Sequence, residues 1–219
     1  MQPTNTSTCM VHVFFTTFTD KLPAARYQKL LAQLPLKMQQ QVSGYRKWED
    51  AHRSILGKAL LIEGLNEYNH SNISLTDLNY TAFQKPYFAN GIHFNISHSG
   101  NYIVCAISTT EVGIDVEEIK DIPLSDFKEL FSPEELKLIF KDPYKYGPFY
   151  TLWTQKEAFL KAIGVGLNMP LNNVIIRNNT IEYNGTTWYL KQLSIHENYL
   201  CHIASSHPIT QVKLKELIF

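Results

Sequence analysis

The segment from residue 153 to 161 carries charged side chains where an ordinary helix would bury apolar ones. Its composition predicts a helix from about residue 147, and steps of four residues place Trp153, Glu157 and Lys161 on one stripe. Lys156 falls on the adjoining apolar arc, which is expected to face the core. Gly164 ends the helix, because glycine readily adopts the left-handed conformation of helix C-termini. A carboxylate and an ammonium on one stripe could bind a polar ligand; a surface ion pair with a snorkelling lysine is the alternative.

Two more acids alternate with apolar residues between positions 112 and 117, which is typical of a strand. Residues two apart on a strand face the same side, so Asp115 and Glu117 point together while their neighbours face a core. Two adjacent carboxylates repel each other unless a cation lies between them. Together with Glu157 they make three hard oxygen donors, the ligand type that Mg²⁺ prefers. The alternative is a solvated strand end, because most exposed acids serve no site.

Residues 94–100, Phe-Asn-Ile-Ser-His-Ser-Gly, alternate between apolar and polar types and run into a turn. Hydroxyls, an imidazole and free N–H groups at a strand end can hold a phosphate, which makes Ser97 and His98 candidate phosphate ligands. The same two residues suggest a nucleophile and its base. Neighbours on a strand point apart, however, and no Gly-x-Ser-x-Gly elbow is present. A plain turn with a surface histidine is the alternative.

Two further segments could contact a phosphorylated ligand. In the pair Lys85-Pro86 the proline stiffens the turn and would hold the lysine in one direction; a surface loop is the alternative. Residues 45–53 carry Arg46 and Arg53 near a tryptophan and could meet a nucleotide. A solvated helix start, with acids in its first turn, is the alternative for this segment.

The composition is that of an ordinary globular protein and excludes several classes. The chain has 219 residues, of which 44% are hydrophobic and 18% charged, with no net charge. Nucleic-acid surfaces normally show a basic excess, so no nucleic-acid partner is expected. The three cysteines, at positions 9, 105 and 201, are too widely spaced to indicate a disulfide framework or a zinc site.

The absence of several motifs and the shortness of the apolar runs argue against further classes of protein. No Walker A, Gly-x-Gly-x-x-Gly or His-Glu-x-x-His motif occurs, which argues against ordinary NTPases, dinucleotide enzymes and zinc proteases. No apolar run approaches the length of a membrane span, and the N-terminus lacks the basic region of a signal peptide. We therefore expect a cytoplasmic protein with no membrane partner.

Two similar halves are predicted, each with a strand, then helices, then several strands. Helices are predicted over residues 23–42 with a break near Pro35, over 49–65, from the capping residues 132–135, and from 147. Strands are predicted over 11–18, 73–75, 87–89, 93–96, 102–108, 112–116, 174–177, 181–183, 187–193, 199–204 and 212–214. We expect an α+β fold of two pseudo-symmetric halves, 1–110 and 111–219, each of about 110 residues, with the active site at their interface.

Five segments follow one another in a particular order along the chain. They are Trp-Glu-Asp-Ala-His-Arg-Ser-Ile-Leu-Gly (48–57), Lys-Pro (85–86), Phe-Asn-Ile-Ser-His-Ser-Gly (94–100), Gly-Ile-Asp-Val-Glu (113–117) and Trp-Thr-Gln-Lys-Glu-Ala-Phe-Leu-Lys-Ala-Ile-Gly-Val-Gly-Leu (153–167). Each is weak alone, but together and in this order they resemble the 4′-phosphopantetheinyl transferases. The chain looks like the surfactin-synthetase-activating class, in which a single chain has two pseudo-symmetric halves.

The resemblance implies a magnesium-dependent transfer of the 4′-phosphopantetheine arm from coenzyme A to a serine of an apo acyl or peptidyl carrier protein, with release of 3′,5′-ADP. Asp115, Glu117 and Glu157 would hold Mg²⁺ against the pyrophosphate. Glu157 or Glu117, directly or through water, would take the proton from the carrier serine. Lys161 would stabilise or protonate the leaving phosphate. Such a transfer needs alignment and charge neutralisation rather than a protein nucleophile.

The resemblance also implies which residues contact coenzyme A. Ser97 and His98 would contact its phosphates. Lys85 and Pro86 would line the nucleotide site. Lys156, on the inward arc of its helix, could reach the coenzyme as well. The N-terminal half would thus supply the nucleotide and phosphate contacts, and the C-terminal half the metal site and the catalytic helix.

The 3′-phosphate of coenzyme A has no obvious ligand in this sequence. Relatives place lysines just before the Glu-Asp-Ala-His-Arg segment for this purpose, whereas this chain has Lys37 followed by a methionine and three glutamines. Arg46, Lys47 and Arg53 lie farther on, and Arg46 and Arg53 are the predicted coenzyme ligands among them. The strength of the preference for coenzyme A over its dephospho form stays open.

Two other functions stay open at this level. The chain could be a binding module that holds carrier proteins or coenzyme A without turnover, although the intact Asp115, Glu117, Glu157 and Lys161 argue against it. It could also be a Mg²⁺-dependent phosphodiester hydrolase that uses the same carboxylates. Release of 3′,5′-ADP that requires a carrier protein separates the transferase from the hydrolase. Because one chain contains both halves, a monomer is expected.

Overall fold

The computed structural model describes residues 9–68 and 70–219, and its mixture of helices and sheets confirms the predicted α+β class. The helices are α1 (Ala24–Ala32), α2 (Leu36–Ser43), α3 (Trp48–Glu67), α4 (Pro133–Lys141) and α5 (Tyr146–Ile163). The strands are β1 (Cys9–Thr17), β2 (Asn79–Tyr80), β3 (Pro86–Tyr87), β4 (His93–Ser99), β5 (Tyr102–Ser108), β6 (Val112–Glu118), β7 (Thr180–Tyr183), β8 (Thr186–Leu193), β9 (Tyr199–Ser205) and β10 (Ile209–Glu216).

The secondary structure departs from the prediction at two short apolar runs. The predicted strand over residues 73–75 is wrong, because Ser74 instead caps a short 3₁₀ turn, accepting a hydrogen bond from the N–H of Thr76 at 3.3 Å. Residues 174–177 form only an isolated bridge at Arg177. Short apolar runs do not distinguish strands from capped turns, and local side-chain bonds decide between them. The predicted break near Pro35 is confirmed, since α1 and α2 separate there.

Two four-stranded sheets repeat one arrangement in the two halves. The first sheet has the order β10-β1-β5-β4, and the second has the order β6-β9-β8-β7. The first strand of each half pairs antiparallel with a later strand of the same half, β1 with β5 and β6 with β9. A long helix packs against each pair, α3 on the first and α5 on the second. The predicted two-half organisation is thus confirmed.

The C-terminal strand links the two halves. β10 pairs in parallel with β1, at the edge of the first sheet. The residues that follow it, Leu217 and Phe219, pack against the apolar core beneath α3. The boundary at residue 110 therefore stays a prediction, because the last strand of the chain belongs to the sheet of the first half.

The two sheets face each other across a layer of small and β-branched side chains. This layer includes Val11, Val13, Val104, Ala106, Val112, Ile114, Val116, Cys201 and Ile203, all of them buried. Because protein cores pack as densely as organic crystals, the layer holds the sheets in one relative position.

A row of side chains on β4 serves as a hydrogen-bonding partner for the outer edge of β6. Alternate β6 amides donate to alternate β4 side chains: Ile114 to Asn95 at 2.9 Å, Val116 to Ser97 at 3.4 Å, and Glu118 to Ser99 at 3.2 Å. Edge strands otherwise present unpaired N–H groups. These bonds set β4 and β6 in register, and the two strands carry four of the predicted site residues, Ser97, His98, Asp115 and Glu117.

Gly113 allows α5 to lie directly on β6. A Cβ atom at this position would overlap the backbone of Ala158 and Ala162 in the helix. Glycine removes this obstacle, so the charged stripe of α5 approaches the acids of β6. Among the described residues, none of the helices combines the length and the apolar character that a membrane crossing requires.

Candidate active site

The charged stripe of α5 faces the acids of β6, as the helical spacing predicts. Gly164 ends the helix with a φ of 73°, in the left-handed region. Lys161 Nζ lies 2.5 Å from Asp115 Oδ1, which joins the last turn of α5 to the middle of β6. One turn back, Glu157 is half-buried. Another turn back, Trp153 lines a cavity of about 210 Å³ together with Glu117 and several aromatic residues.

Asp115 is the centre of a buried polar cluster. Only 2% of its surface is exposed. Its Oδ1 accepts a hydrogen bond from Ser97 Oγ at 2.9 Å, and Lys161 Nζ also donates to Ser97 Oγ at 2.8 Å. β4, β6 and α5 therefore each contribute one side chain to the cluster, which places it between the two halves.

Ionisation of the other two acids, Glu157 and Glu117, is disfavoured by burial in the folded protein. Burial, and then the neighbouring negative charge of Asp115, raise the pKa of Glu157 above its ordinary value. Burial also raises the pKa of Glu117, although a hydrogen bond from Ser99 Oγ to its Oε2, 2.6 Å long, lowers that pKa in part. Both carboxylates therefore hold protons more tightly than exposed ones, and a cation between them would relieve the repulsion.

The unpaired oxygen of Asp115 tests whether these residues suit a metal ion. Asp115 Oδ2 is buried and has no hydrogen-bond partner within the described residues. An unsatisfied buried carboxylate oxygen costs free energy, and a hard cation would satisfy it. In the described part of the chain, no group of three or more His, Cys, Asp or Glu side chains converges as a formed metal site. The donors thus fit Mg²⁺ by type and charge, while their side chains are not gathered around a point.

Ser97 and His98 point to opposite faces of β4. Ser97 is buried against Asp115, to which it donates its hydroxyl proton. His98 is exposed and lines a cleft on the other face, beside α3. Partial burial, and then the positive charges of Arg53 and Lys161, lower the pKa of His98. The two residues therefore do not form a nucleophile–base pair, as strand geometry predicts.

The cleft beside α3 has a volume of about 410 Å³, within the usual range for small-molecule sites. It is lined by Tyr45, Asp50, Arg53, Ser54, Gly57, Lys58, Ile96 and His98. Arg53 is held in place by its Nε, which donates to the carbonyl of Gly100 at 3.0 Å, and by an ion pair with Asp50 at 2.8 Å. Two predicted coenzyme ligands, Arg53 and His98, thus meet in one cleft.

Three other predicted ligands do not line this cleft in the described residues. Lys85 Nζ instead donates to the carbonyl of Ala162, 2.5 Å away, at the C-terminus of α5. Burial lowers the pKa of Lys85 to about 8, and the negative charge of Glu111 opposes this shift. Pro86 begins β3. Arg46 is exposed and lines a separate cavity of about 400 Å³ between α1, α2 and α3.

Lys156 faces inward, as predicted, but it does not reach the site. Its side chain is completely buried, and its ammonium lies 2.7 Å from Glu135 Oε2 and 2.9 Å from the carbonyl oxygen of Leu171. Burial lowers the pKa of Lys156, while Glu135 raises it in part. Its charge joins α5 to α4 in this structure, and contact of Lys156 with the coenzyme stays a prediction.

Replacing Lys156 by methionine should lower the free energy of unfolding by about 3 kcal/mol, because it leaves the half-buried Glu135 without its partner. Urea unfolding followed by circular dichroism measures this change. Lys191→Met, at an exposed position on β8, is the matched control and should leave the stability nearly unchanged. A loss no larger than that of the control would show that the buried pair contributes nothing to the fold.

Two residues beside the cluster, Ser99 and His202, were missed in the sequence. Ser99 binds Glu117, and its position two residues after Ser97 on the same strand face was the available signal. His202 pairs with Asp115 across β6 and β9, and its Nδ1 lies 2.7 Å from Thr154 Oγ1. Burial lowers the pKa of His202 to about 4, so it is neutral at physiological pH. Nothing in its local sequence, an apolar run, indicated proximity to the acids.

Comparison with known proteins is consistent with this geometry. The family model described as the 4′-phosphopantetheinyl transferase superfamily matches residues 111–212. The model described as 4′-phosphopantetheinyl transferase, N-terminal, matches residues 23–110. The two matches together extend over both halves and contain Asp115, Glu157 and the cleft.

Curated relatives of this chain are also named 4′-phosphopantetheinyl transferases. The chain is 33% identical over 186 residues to the 4′-phosphopantetheinyl transferase Sfp of Bacillus subtilis (strain 168), covering 78% of this chain and 83% of that one. It is 32% identical over 176 residues to the 4′-phosphopantetheinyl transferase gsp of Aneurinibacillus migulanus, covering 78% and 73%. These relatives give no support to a binding module or to a phosphodiester hydrolase. The chain belongs to the 4′-phosphopantetheinyl transferase superfamily, and it is an enzyme of the phosphopantetheinyl transferase type.

Proposed function

We propose that this enzyme takes coenzyme A as its donor and transfers the 4′-phosphopantetheine arm to a serine of an apo acyl or peptidyl carrier protein, releasing 3′,5′-ADP. The observation that carries the proposal is the unpaired, buried Oδ2 of Asp115 beside Lys161 and Ser97, because Ser97 belongs to β4, whose other face borders a nucleotide-sized cleft. One ligand with phosphates at separate positions would use both faces.

The carboxylates of Asp115, Glu117 and Glu157 would hold Mg²⁺, for which the unpaired oxygen and the raised pKa values of the two glutamates are the support. When bound, Mg²⁺ supplies charge neutralisation for the pyrophosphate. Lys161, already directed at the cluster, would stabilise the negative charge of the leaving 3′,5′-ADP.

Glu157 or Glu117 would take the proton from the attacking serine of the carrier. A carboxylate whose pKa is raised by burial binds a proton more strongly, and is thus a better base for this purpose, than an exposed one. The serine comes from the partner protein, so the enzyme needs no nucleophile of its own. This accords with Ser97, whose hydroxyl proton is donated to Asp115.

The nucleotide would occupy the cleft beside α3, with His98 and Arg53 near its phosphates. Lys85 and Pro86 are proposed as further contacts of the nucleotide, and Arg46 as a contact at the adjoining cavity. Tyr45 lines both cavities, so they are neighbours on the surface.

The remaining proposals concern organisation. We propose residues 1–110 as the half that contacts the nucleotide and 111–219 as the half that carries the metal site, acting together in a monomer. A cytoplasmic location accords with three free, buried cysteines, since disulfides are rare in that compartment.

Incubation of the enzyme with coenzyme A, Mg²⁺ and a purified apo carrier protein should raise the intact mass of the carrier by roughly 340 Da, and EDTA should prevent the gain. Mass spectrometry of the carrier measures this, and a carrier whose acceptor serine is replaced by alanine is the control. Release of 3′,5′-ADP without any carrier would indicate hydrolysis instead. No gain with both fatty-acid and peptidyl carriers would contradict the proposal.

A further inference from the structure

One face of α3 forms a wall of the cleft. Its residues follow helical spacing: Asp50, Arg53, Ser54, Gly57 and Lys58. Ile96 and His98 of β4 form the opposite wall. A Cβ atom at Gly57 would lie 3.0 Å from Ile96 Cγ2, so glycine lets the strand and helix approach closely at the floor of the cleft. Lys58, the residue after Gly57, is the last charged residue of this stripe along the helix.

Lys58 differs from Arg53 in the same cleft, and from Lys161 in the carboxylate cluster, in having no acidic partner among the described residues. Its Nζ donates to Ser54 Oγ at 2.8 Å and to the Ser54 carbonyl at 3.3 Å. Within residues 9–68 and 70–219, no carboxylate lies within salt-bridge distance of this ammonium, whereas Arg53 is paired with Asp50 and Lys161 with Asp115. Lys58 is also half-buried, and desolvation lowers its pKa. An anionic ligand stabilises a partly desolvated ammonium more than it stabilises a fully exposed ammonium.

The position of Lys58 indicates which anion it would meet. Adjacent residues Ser97 and His98 point to opposite faces of β4, the first toward the carboxylate cluster and the second toward the cleft. The pyrophosphate of the proposed donor belongs with Asp115 and Lys161. The one other phosphate of coenzyme A is the 3′-phosphate of its ribose, and the cleft lined by His98 of β4 and Lys58 of α3 is left for it.

We propose that Lys58 binds the 3′-phosphate of the adenosine nucleotide and thereby sets the preference for coenzyme A over its dephospho form. This assignment rests on the proposed function, which supplies the ligand. Ser54 positions the ammonium, and Arg53 and His98 line the same cleft. Arg53 is paired with Asp50, whereas Lys58 has no carboxylate partner among the described residues. Lys37, the lysine that the sequence offers in its place, is exposed on α2 and does not line the cleft in the described residues.

Calorimetric titration with 3′,5′-ADP and with 5′-AMP, which lacks the 3′-phosphate, tests the assignment without any carrier protein. Lys58→Met should weaken binding of 3′,5′-ADP by about 10- to 100-fold, the loss expected for one charge-assisted contact, and leave 5′-AMP binding unchanged. Lys58→Arg should restore most of the affinity. Lys37→Met should affect neither nucleotide.

The assignment fails if Lys58→Met weakens both nucleotides equally, if it weakens neither, or if Lys37→Met produces the selective loss. Methionine favours helices, so α3 is expected to stay intact, and circular dichroism checks this. In transfer assays the ratio of kcat/KM for coenzyme A to that for dephospho-coenzyme A should fall by the same factor. A selective loss of 3′,5′-ADP binding without any transfer by the unmodified enzyme would uphold Lys58 and reject the proposed function; transfer with no selective loss would do the reverse.

Discussion

Replacement of Glu157 by glutamine should reduce the rate of phosphopantetheine transfer by about 1,000-fold or more while the protein stays folded. The amide keeps the shape of the side chain but loses the charge that would hold a divalent cation and accept a proton. Mass spectrometry of the carrier protein over time gives the rate. Glu197→Gln, at an exposed position in the loop before β9, is the matched control and should transfer normally.

The same substitution should leave the stability of the protein unchanged or increase it. Burial and the charge of Asp115 raise the pKa of Glu157, so the ionised form is disfavoured in the folded state. A raised pKa means that the folded protein binds this proton more tightly than the unfolded chain does. The destabilisation by Glu157 therefore appears as the pH rises from the ordinary carboxyl pKa through the raised value. Glutamine does not ionise and should remove this part of the pH dependence.

Thermal unfolding of the unmodified enzyme and of Glu157→Gln, between about pH 4 and 8, measures the effect. The lower end of this pH range is near the ordinary pKa of a glutamate side chain. Retained transfer by Glu157→Gln would remove this residue from both proposed roles, as ligand and as base. A large loss of stability would show instead that Glu157 is needed for the fold, and its effect on transfer would then say nothing about chemistry.

Replacement of Asp115 by asparagine should raise the Mg²⁺ concentration needed for half-maximal transfer by at least about 10-fold, the scale of loss seen when even an outer ligand contact is removed. The asparagine oxygen can still accept the hydrogen bonds from Ser97 and Lys161 that Oδ1 accepts now. The buried oxygen that has no partner, Oδ2, is replaced by an amide that cannot bind a cation. The variant thus separates the metal contact from the structural ones.

A direct titration of the enzyme with Mn²⁺ in place of Mg²⁺ gives a second readout, which does not depend on turnover. Asp115→Asn should bind the metal more weakly than the unmodified enzyme in the same buffer. An unchanged dependence on metal, in both the transfer assay and the titration, would remove Asp115 from the proposed ligand set. Asp126→Asn, on the turn after β6, is a control for the general loss of one negative charge.

These expectations rest on positions that local rules predict well. Helical periodicity placed Trp153, Glu157 and Lys161 on one face, and Gly164 ends the helix as glycine does at a C-terminus. Strand alternation separated Asp115 and Glu117 from the apolar core. Each of these inferences depends on neighbours within a turn or a strand, where geometry repeats and sequence spacing carries the information.

Local rules do not predict contacts between side chains on different elements. Lys156 was correctly placed on the inner face of α5, but its partner Glu135 lies 21 positions away on another helix. Periodicity states which way a side chain points and is silent about what it meets. For Lys156 the tertiary structure supplied a half-buried carboxylate partner that periodicity did not predict.

The sequence by itself determined the α+β class, the two halves, the polar stripe of α5 and the alternation of β4 and β6, because each follows from periodicity, capping or motif order. Only the tertiary structure decided that β10 joins the sheet of the first half and that β4 side chains bind the edge of β6. It also decided that Lys58 faces the cleft beside α3 and has no acidic partner among the described residues. These features arise from contacts between residues far apart in the chain. Such contacts depend on how whole elements pack, and no local spacing encodes them.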